Sequence, residues 1–186
     1  MPHENVFIVN RRGWHPESLS HPAIRWIYEY HVSFEVRDNV ACAPYYSTNM
    51  TYVRGNGQSL SGASALAALQ SDFALPHDFH SDLERAVVIE QPSDNGSSGG
   101  YLVWAQTRMY ANLPGEGGEK KHVDTDGKAW EAKTEGVYIV DLVRDKEGPH
   151  GLKVLSVQGF ADPTPLLGVA VRRGVLPVEV LAGEAV

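Results

Sequence analysis

The chain has 186 residues, of which 42% are hydrophobic and 21% charged, enough for one compact domain with its own core and a squeeze for two. Sixteen Lys plus Arg face 23 Asp plus Glu, for a formal net charge of -7. That is the reverse of the basic surplus expected of a protein that grips nucleic acid or an anionic membrane. A single cysteine, Cys42, excludes an internal disulfide framework and a cysteine-based zinc or iron–sulfur cage, and no stretch approaches the ~20 apolar residues that span a bilayer.

The N-terminal residues MPHENVFIVNRRGW place their arginines after a short apolar run, the wrong order for a secretory signal. A cytoplasmic location is therefore expected, and the sequons Asn49-Met-Thr51 and Asn95-Gly-Ser97 read as chance matches. Residues 1–19 show no sustained period and read as an arm lying on the domain or partly disordered. From Ser20, a good N-cap before Pro22 and apolar residues at Ile24, Ile27, Tyr28, His31 and Phe34 predict a helix over 21–37. Met50 to Arg54 followed by Gly55-Asn56-Gly57 reads as a strand feeding a hairpin. Ser61-Gly62 opens a second helix over 63–73, and the segment HDFHSDL reads as a short helical turn.

Strands are predicted over 84–91, 101–113, 128–143 and 152–160, joined by polar glycine-rich connections that suit antiparallel neighbours. Helices first and strands afterwards argue an α+β domain with helices on one face of a curved antiparallel sheet. Residues 163–186 contain prolines and no clean period, and read as a C-terminal extension draped over the domain (20–162) or over a partner.

His31 lies on the apolar stripe of the first helix and so points into the core or a pocket. There it serves as a general acid or base, or is a buried neutral histidine bonded to backbone. The strand over 101–113 alternates Val103, Ala105, Thr107 and Met109 with Trp104, Gln106, Arg108, Tyr110 and Asn112. The second set suits either an amphipathic ligand pocket or a wet outer face or dimer interface. In the strand over 128–143, Trp130 and Tyr138 share one face and Glu131 lies on the other. A bulge at Gly136 would reverse parity and turn Glu131 inward toward His31 or Arg54. His77 and His80 with Asp78 and Asp82 form the cluster closest to a metal-ligand pattern, but no third ligand is indicated and a solvated turn is the simpler reading.

The order of these elements resembles the NTF2-like cone, and most of all its SnoaL-like and ketosteroid-isomerase-like branch. The resemblance is carried by Tyr30-His31-Val32-Ser33-Phe34 leading to Asp38, by Tyr45-Tyr46, Met50-Thr51-Tyr52 and Ser61-Gly62, and by Leu152-Lys153-Val154-Leu155. It implies a deep apolar pocket roofed by the helices, and isomerase, cyclase or dehydratase chemistry on polyketide, steroid or terpenoid skeletons without a cofactor or metal. It also implies a homodimer with a small hydrophobic substrate as partner, and neither nucleic acid nor membrane. Tyr30 stands eight residues before Asp38, the spacing of the family's oxyanion-binding tyrosine. Arg54 stands where ketosteroid isomerases carry their aspartate base. A guanidinium stays protonated, so it holds an enolate or alkoxide and takes no proton. The expected catalytic set is His31, Arg54, Tyr30, Tyr110 and Glu131, with Tyr28, Tyr52, Trp104, Arg108, Trp130 and Tyr138 shaping the substrate. A non-catalytic ligand-binding or scaffold protein of the same fold is the alternative.

Overall fold

Four long runs with apolar side chains at every second position dominate the chain, and each becomes a strand because its apolar face meets a helix. A computed structural model describes residues 5–36, 39–93, 99–115 and 117–179. In chain order its elements are β1 (Val6–Val9), α1 (Pro16–Leu19), α2 (Pro22–Glu35), α3 (Asn39–Cys42), β2 (Tyr46–Val53), β3 (Ser59–Ser61), α4 (Gly62–Asp72), β4 (Asp78–Gln91), β5 (Gly100–Asn112), β6 (His122–Val123), β7 (Ala129–Trp130), β8 (Ala132–Arg144), β9 (Leu152–Ala161) and α5 (Thr164–Arg172). The main sheet has the order β1-β4-β5-β8-β9-β2-β3, and β6 and β7 form a separate ribbon. Neighbours run antiparallel except β2 and β9, which pair in parallel. The sheet is curved and unclosed, and the fold is α+β.

The start of α2 differs by one residue from the expected cap. Ser20 Oγ donates back to the Glu17 carbonyl at 2.6 Å, so His21 caps instead, its Nδ1 accepting from Ala23 N at 3.2 Å. Ala23, Ile24, Trp26 and Ile27 then face the sheet, each at most 1% exposed. Trp26 also donates its indole N–H to the Leu152 carbonyl at 3.0 Å, which ties α2 to β9. These residues and α4 make one core with Met50, Leu83, Val103, Leu142 and Val154. A second core joins Phe79, Ala111, Leu113 and Ala132 to Leu166 and Ala170 of α5, with Phe34 of α2 packed against it.

Three segments depart from expectation, each through long-range pairing that local signals do not carry. Val6–Val9 is an edge strand on β4, with Phe7 opposite Val88. HDFHSDL is strand from Asp78 on, because Phe79, Ser81 and Leu83 alternate inward and the ladder from Asp78↔Asn112 to Leu83↔Thr107 starts β4 well before the expected Glu84. The segment after Asp162 holds α5, whose prolines are no obstacle. Pro163 is the cap and Pro165 sits in the first turn, where a missing N–H costs nothing.

Strand parity is settled by where the helices lie. Val103, Ala105 and Thr107 are buried on the inner face, and Trp104 is 51% exposed on the outer one. A bulge at Gly136, the alternative that would have turned Glu131 inward, is absent. Gly136 pairs in register with Thr107 and Ala161, and a Cβ there would come within 3.0 Å of the Phe160 carbonyl oxygen. No helix among the described residues is long and apolar enough to cross a membrane. Arg37, Asp38 and Asn95 lie outside the described residues, and with Asp38 goes the Tyr30–Asp38 spacing.

Candidate active site

The helical stripe of α2 that buries Ile24 and Ile27 carries Tyr30, His31 and Phe34 one to two turns further on, against the inner face of β8. His31 Nε2 lies 3.1 Å from the Tyr138 hydroxyl, with the Trp14 ring 5.8 Å and the Tyr138 ring 5.6 Å from the imidazole. The His31 ring is enclosed, although the residue keeps some exposed surface. Burial, reinforced by the positive charge of His80, lowers its pKa to about 4. Burial likewise holds the Tyr138 hydroxyl protonated far above its usual range. At neutral pH the pair is therefore an uncharged imidazole beside an uncharged phenol, a donor–acceptor couple that relays a proton without burying net charge.

Tyr30 is stacked between Trp26 and Phe34, at centroid distances of 5.3 and 5.6 Å, and its hydroxyl meets that of Tyr46 at 3.0 Å. Burial raises both phenols, Tyr30 well above its ordinary value and Tyr46 to about 12. The inner face of the sheet thus meets a packed cluster of aromatic rings with hydroxyl and imidazole groups among them. Tyr28 is half-buried at its flank, its ring 5.4 Å from Trp14.

One turn beyond His31 on the same helix face, Glu35 reaches the edge of β4. It accepts from Ser81 N at 2.7 Å and binds His80 Nδ1 at 3.3 Å. The other ring nitrogen of His80 lies 3.2 Å from Asp82 Oδ1. Asp82 is completely buried, and it also accepts from Thr125 N at 3.0 Å and pairs with Arg12 at 3.4 Å. Hydrogen bonds to Asp82 and Glu35 raise His80 to about 10, so it is an imidazolium at neutral pH. Burial opposes ionisation of Asp82, but the bonds from His80 and Thr125 outweigh it and keep the carboxyl below its ordinary pKa. The solvated turn expected around His77 and His80 is therefore a clamped charge cluster. Glu35 was findable, since it stands four residues after His31 on one helix face. Arg12 was not, because 70 residues separate it from Asp82. Among the described residues no group of three or more His, Cys, Asp or Glu is placed to hold a metal ion.

The remaining sequence candidates lie elsewhere. Arg54 is held by Asp72 of α4 through two bonds, of 2.9 and 2.8 Å, and the Tyr52 hydroxyl donates to the same carboxylate at 2.9 Å. Tyr110, Arg108 and Trp104 are on the outer face of β5. Tyr110 accepts from Arg12, and Arg108 pairs with Glu135 at 2.9 Å and Glu84 at 3.2 Å. Trp130 is buried in the β6–β7 ribbon, its indole donating to Asp124 at 2.7 Å. Glu131 turns toward neither His31 nor Arg54. It binds Arg173 at 2.6 Å and accepts from Leu113 N and Gly118 N at 2.9 and 2.6 Å. Burial disfavours its charge, and those two amides and Arg173 more than offset it.

No protein-family model matches this chain, and no curated protein matches it in sequence. Solved structures do match. AclR, a candidate hydroxylase from Streptomyces galilaeus, aligns with a TM-score of 0.50 at 16% identity, over 86% of this chain and 100% of its own. A candidate SnoaL-like polyketide cyclase from Shewanella denitrificans aligns with a TM-score of 0.50 at 16% identity, over 83% and 96%. Nuclear transport factor 2 from Cryptosporidium parvum aligns with a TM-score of 0.50 at 13% identity, over 80% and 97%. Proteins named for different tasks share this architecture, so the likeness speaks to fold alone: the chain has the NTF2-like fold, in common with SnoaL-like structures.

Proposed function

We propose that the protein is a cofactor-independent acid–base enzyme of the SnoaL-like type, an isomerase, cyclase or dehydratase acting on a bulky apolar natural-product intermediate. The observation that carries this reading is the His31–Tyr138 couple, a neutral imidazole bonded to a neutral phenol among packed aromatic rings. His31 moves the proton, and the hydroxyls of Tyr138 and Tyr30 hold the developing oxyanion in a dry environment where such bonds act strongly. The rings of Trp14 and Phe34 set the substrate's orientation.

The test is turnover of a β,γ-unsaturated steroid ketone and a panel of linear polyketide-like diketones. Wild type is expected to convert at least one. His31→Ala should lose about 10²–10⁴-fold in kcat and Tyr138→Phe about 10²–10³-fold, with far-UV circular dichroism unchanged. Substrates returned intact while the melting temperature rises would replace this reading by that of a non-catalytic ligand-binding protein.

We further propose that the enzyme is a homodimer formed through the outer face of the sheet. Ile8, Val87 and Trp104 lie side by side across β1, β4 and β5, and Val137 is opposite Phe160 across β8 and β9. All five are at least 37% exposed. A contiguous apolar face of this kind is what a second copy covers. Sedimentation equilibrium should give a dimer for wild type and a monomer for Trp104→Asp. A wild-type monomer at tens of micromolar, on the order of the Kd of a weak interface, rejects this arrangement.

A further inference from the structure

Away from the cone interior, a pocket of about 380 Å³ opens between α5, the start of β8 and the loop that precedes β6. Its size falls within the range of small-molecule sites. Ala132, Pro165 and Val169 supply apolar lining, and Lys121, Lys133, Arg172 and Arg173 supply charge. The carboxylates that line it are Glu119 and Glu131, so four fixed cations face two anions in a chain whose net charge is -7.

The local pairing shows which cations remain available. Arg173 is spent on Glu131, at 2.6 Å, and on the Leu113 carbonyl, at 3.1 Å. Lys121 pairs with Glu119 at 2.8 Å. Lys133 reaches Glu135 only at 3.7 Å, and that carboxylate is already bound by Arg108 at 2.9 Å. Arg172 has no ion-pair partner among the described residues. His122, which also lines the pocket, is held below its ordinary pKa first by burial and then by the charges of Lys133 and Lys121. An uncompensated positive field thus converges on the pocket, and a cationic rim over an apolar lining selects an amphiphilic anion.

We propose that this pocket binds an organic carboxylate, its head group taken by Arg172 and Lys133 and its alkyl or aryl body laid on Ala132, Pro165 and Val169. The site is independent of the acid–base reading, since it shares no residue with the His31–Tyr138 couple. Isothermal titration calorimetry of the full chain at pH 7 tests it with octanoate, with octan-1-ol as the uncharged probe and inorganic phosphate as the head group without a body. Octanoate should bind one per chain. Octanol, phosphate and the double variant Lys133→Gln/Arg172→Gln should each give affinities weaker by about tenfold or more, the loss expected of charge-assisted bonds. Both substituted side chains lie at the surface of the pocket, and an unchanged circular dichroism spectrum and melting temperature keep the comparison valid. No octanoate binding to wild type, equal affinity in the double variant, or phosphate binding as tightly as octanoate would each overturn the proposal.

Discussion

Replacing Asp82 by alanine is expected to lower the free energy of unfolding by about 3–5 kcal/mol, the cost of removing one partner from a buried charge cluster. Asp82 is fully buried and joins its neighbour His80 on β4 to two distant parts of the chain, Arg12 before α1 and the Thr125 amide in the β6–β7 turn. Its removal leaves the His80 imidazolium with Glu35 alone and strands the Thr125 donors. Asp82→Asn preserves volume and one acceptor oxygen, and should cost less, about 1–3 kcal/mol. Urea unfolding followed by circular dichroism measures both. A loss below about 1 kcal/mol for alanine, the level of an exposed pair, would mean that the cluster does not hold the three segments together.

The second expectation concerns pH. His31 titrates at about 4 in the folded chain and near ~6.5 when unfolded. The unfolded state therefore binds the extra proton between those values, and stability falls as the pH drops through that window. By pH 5 this group alone should remove about 2 kcal/mol relative to pH 7. His80 behaves in the opposite sense. Raised to about 10 by Asp82 and Glu35, it contributes stability that is complete below ~6.5 and is lost as the pH rises toward 10. The difference in unfolding free energy between wild type and His31→Leu should therefore change by about 2 kcal/mol between pH 7 and 5, and that between wild type and His80→Gln should change only on the alkaline side. A pH-independent difference for His31→Leu would mean that the imidazole is not enclosed.

Much of this was legible in the sequence. The apolar spacing of α2 placed His31 on the inner face, and period-two alternation located β5 and β9 within a residue, whereas the strand expected over 128–143 begins four residues later, at Ala132, because Ala129–Trp130 pairs in a separate ribbon. Alternation defines two faces, however, without saying which a helix will cover. Trp104 and Arg108 were candidates for the pocket and lie outside it, because α2 and α4 chose the face of Val103 and Ala105. Glu131 illustrates a second limit. Its place on an exposed-looking face said nothing of Arg173, 42 residues away, or of the Leu113 and Gly118 amides that fix it. The N-terminal strand escaped notice because four residues carry too little pattern to be distinguished from a loop, and only the β4 partner makes them a strand.

The treatment of the sheet margins bears on how the molecule meets other molecules. The terminal strands β1 and β3 are four and three residues long. The stretch of β4 beyond β1 is occupied by Gly13 N bonding the Leu83 carbonyl at 2.7 Å, the Trp14 indole bonding that of Ser81 at 3.0 Å, and Glu35 taking Ser81 N. Little unsatisfied backbone remains along these margins to template a foreign strand. Open-ended ribbon growth thus finds short edges to start from, so the exposed apolar surface costs the protein less in fibre formation than its extent alone would suggest.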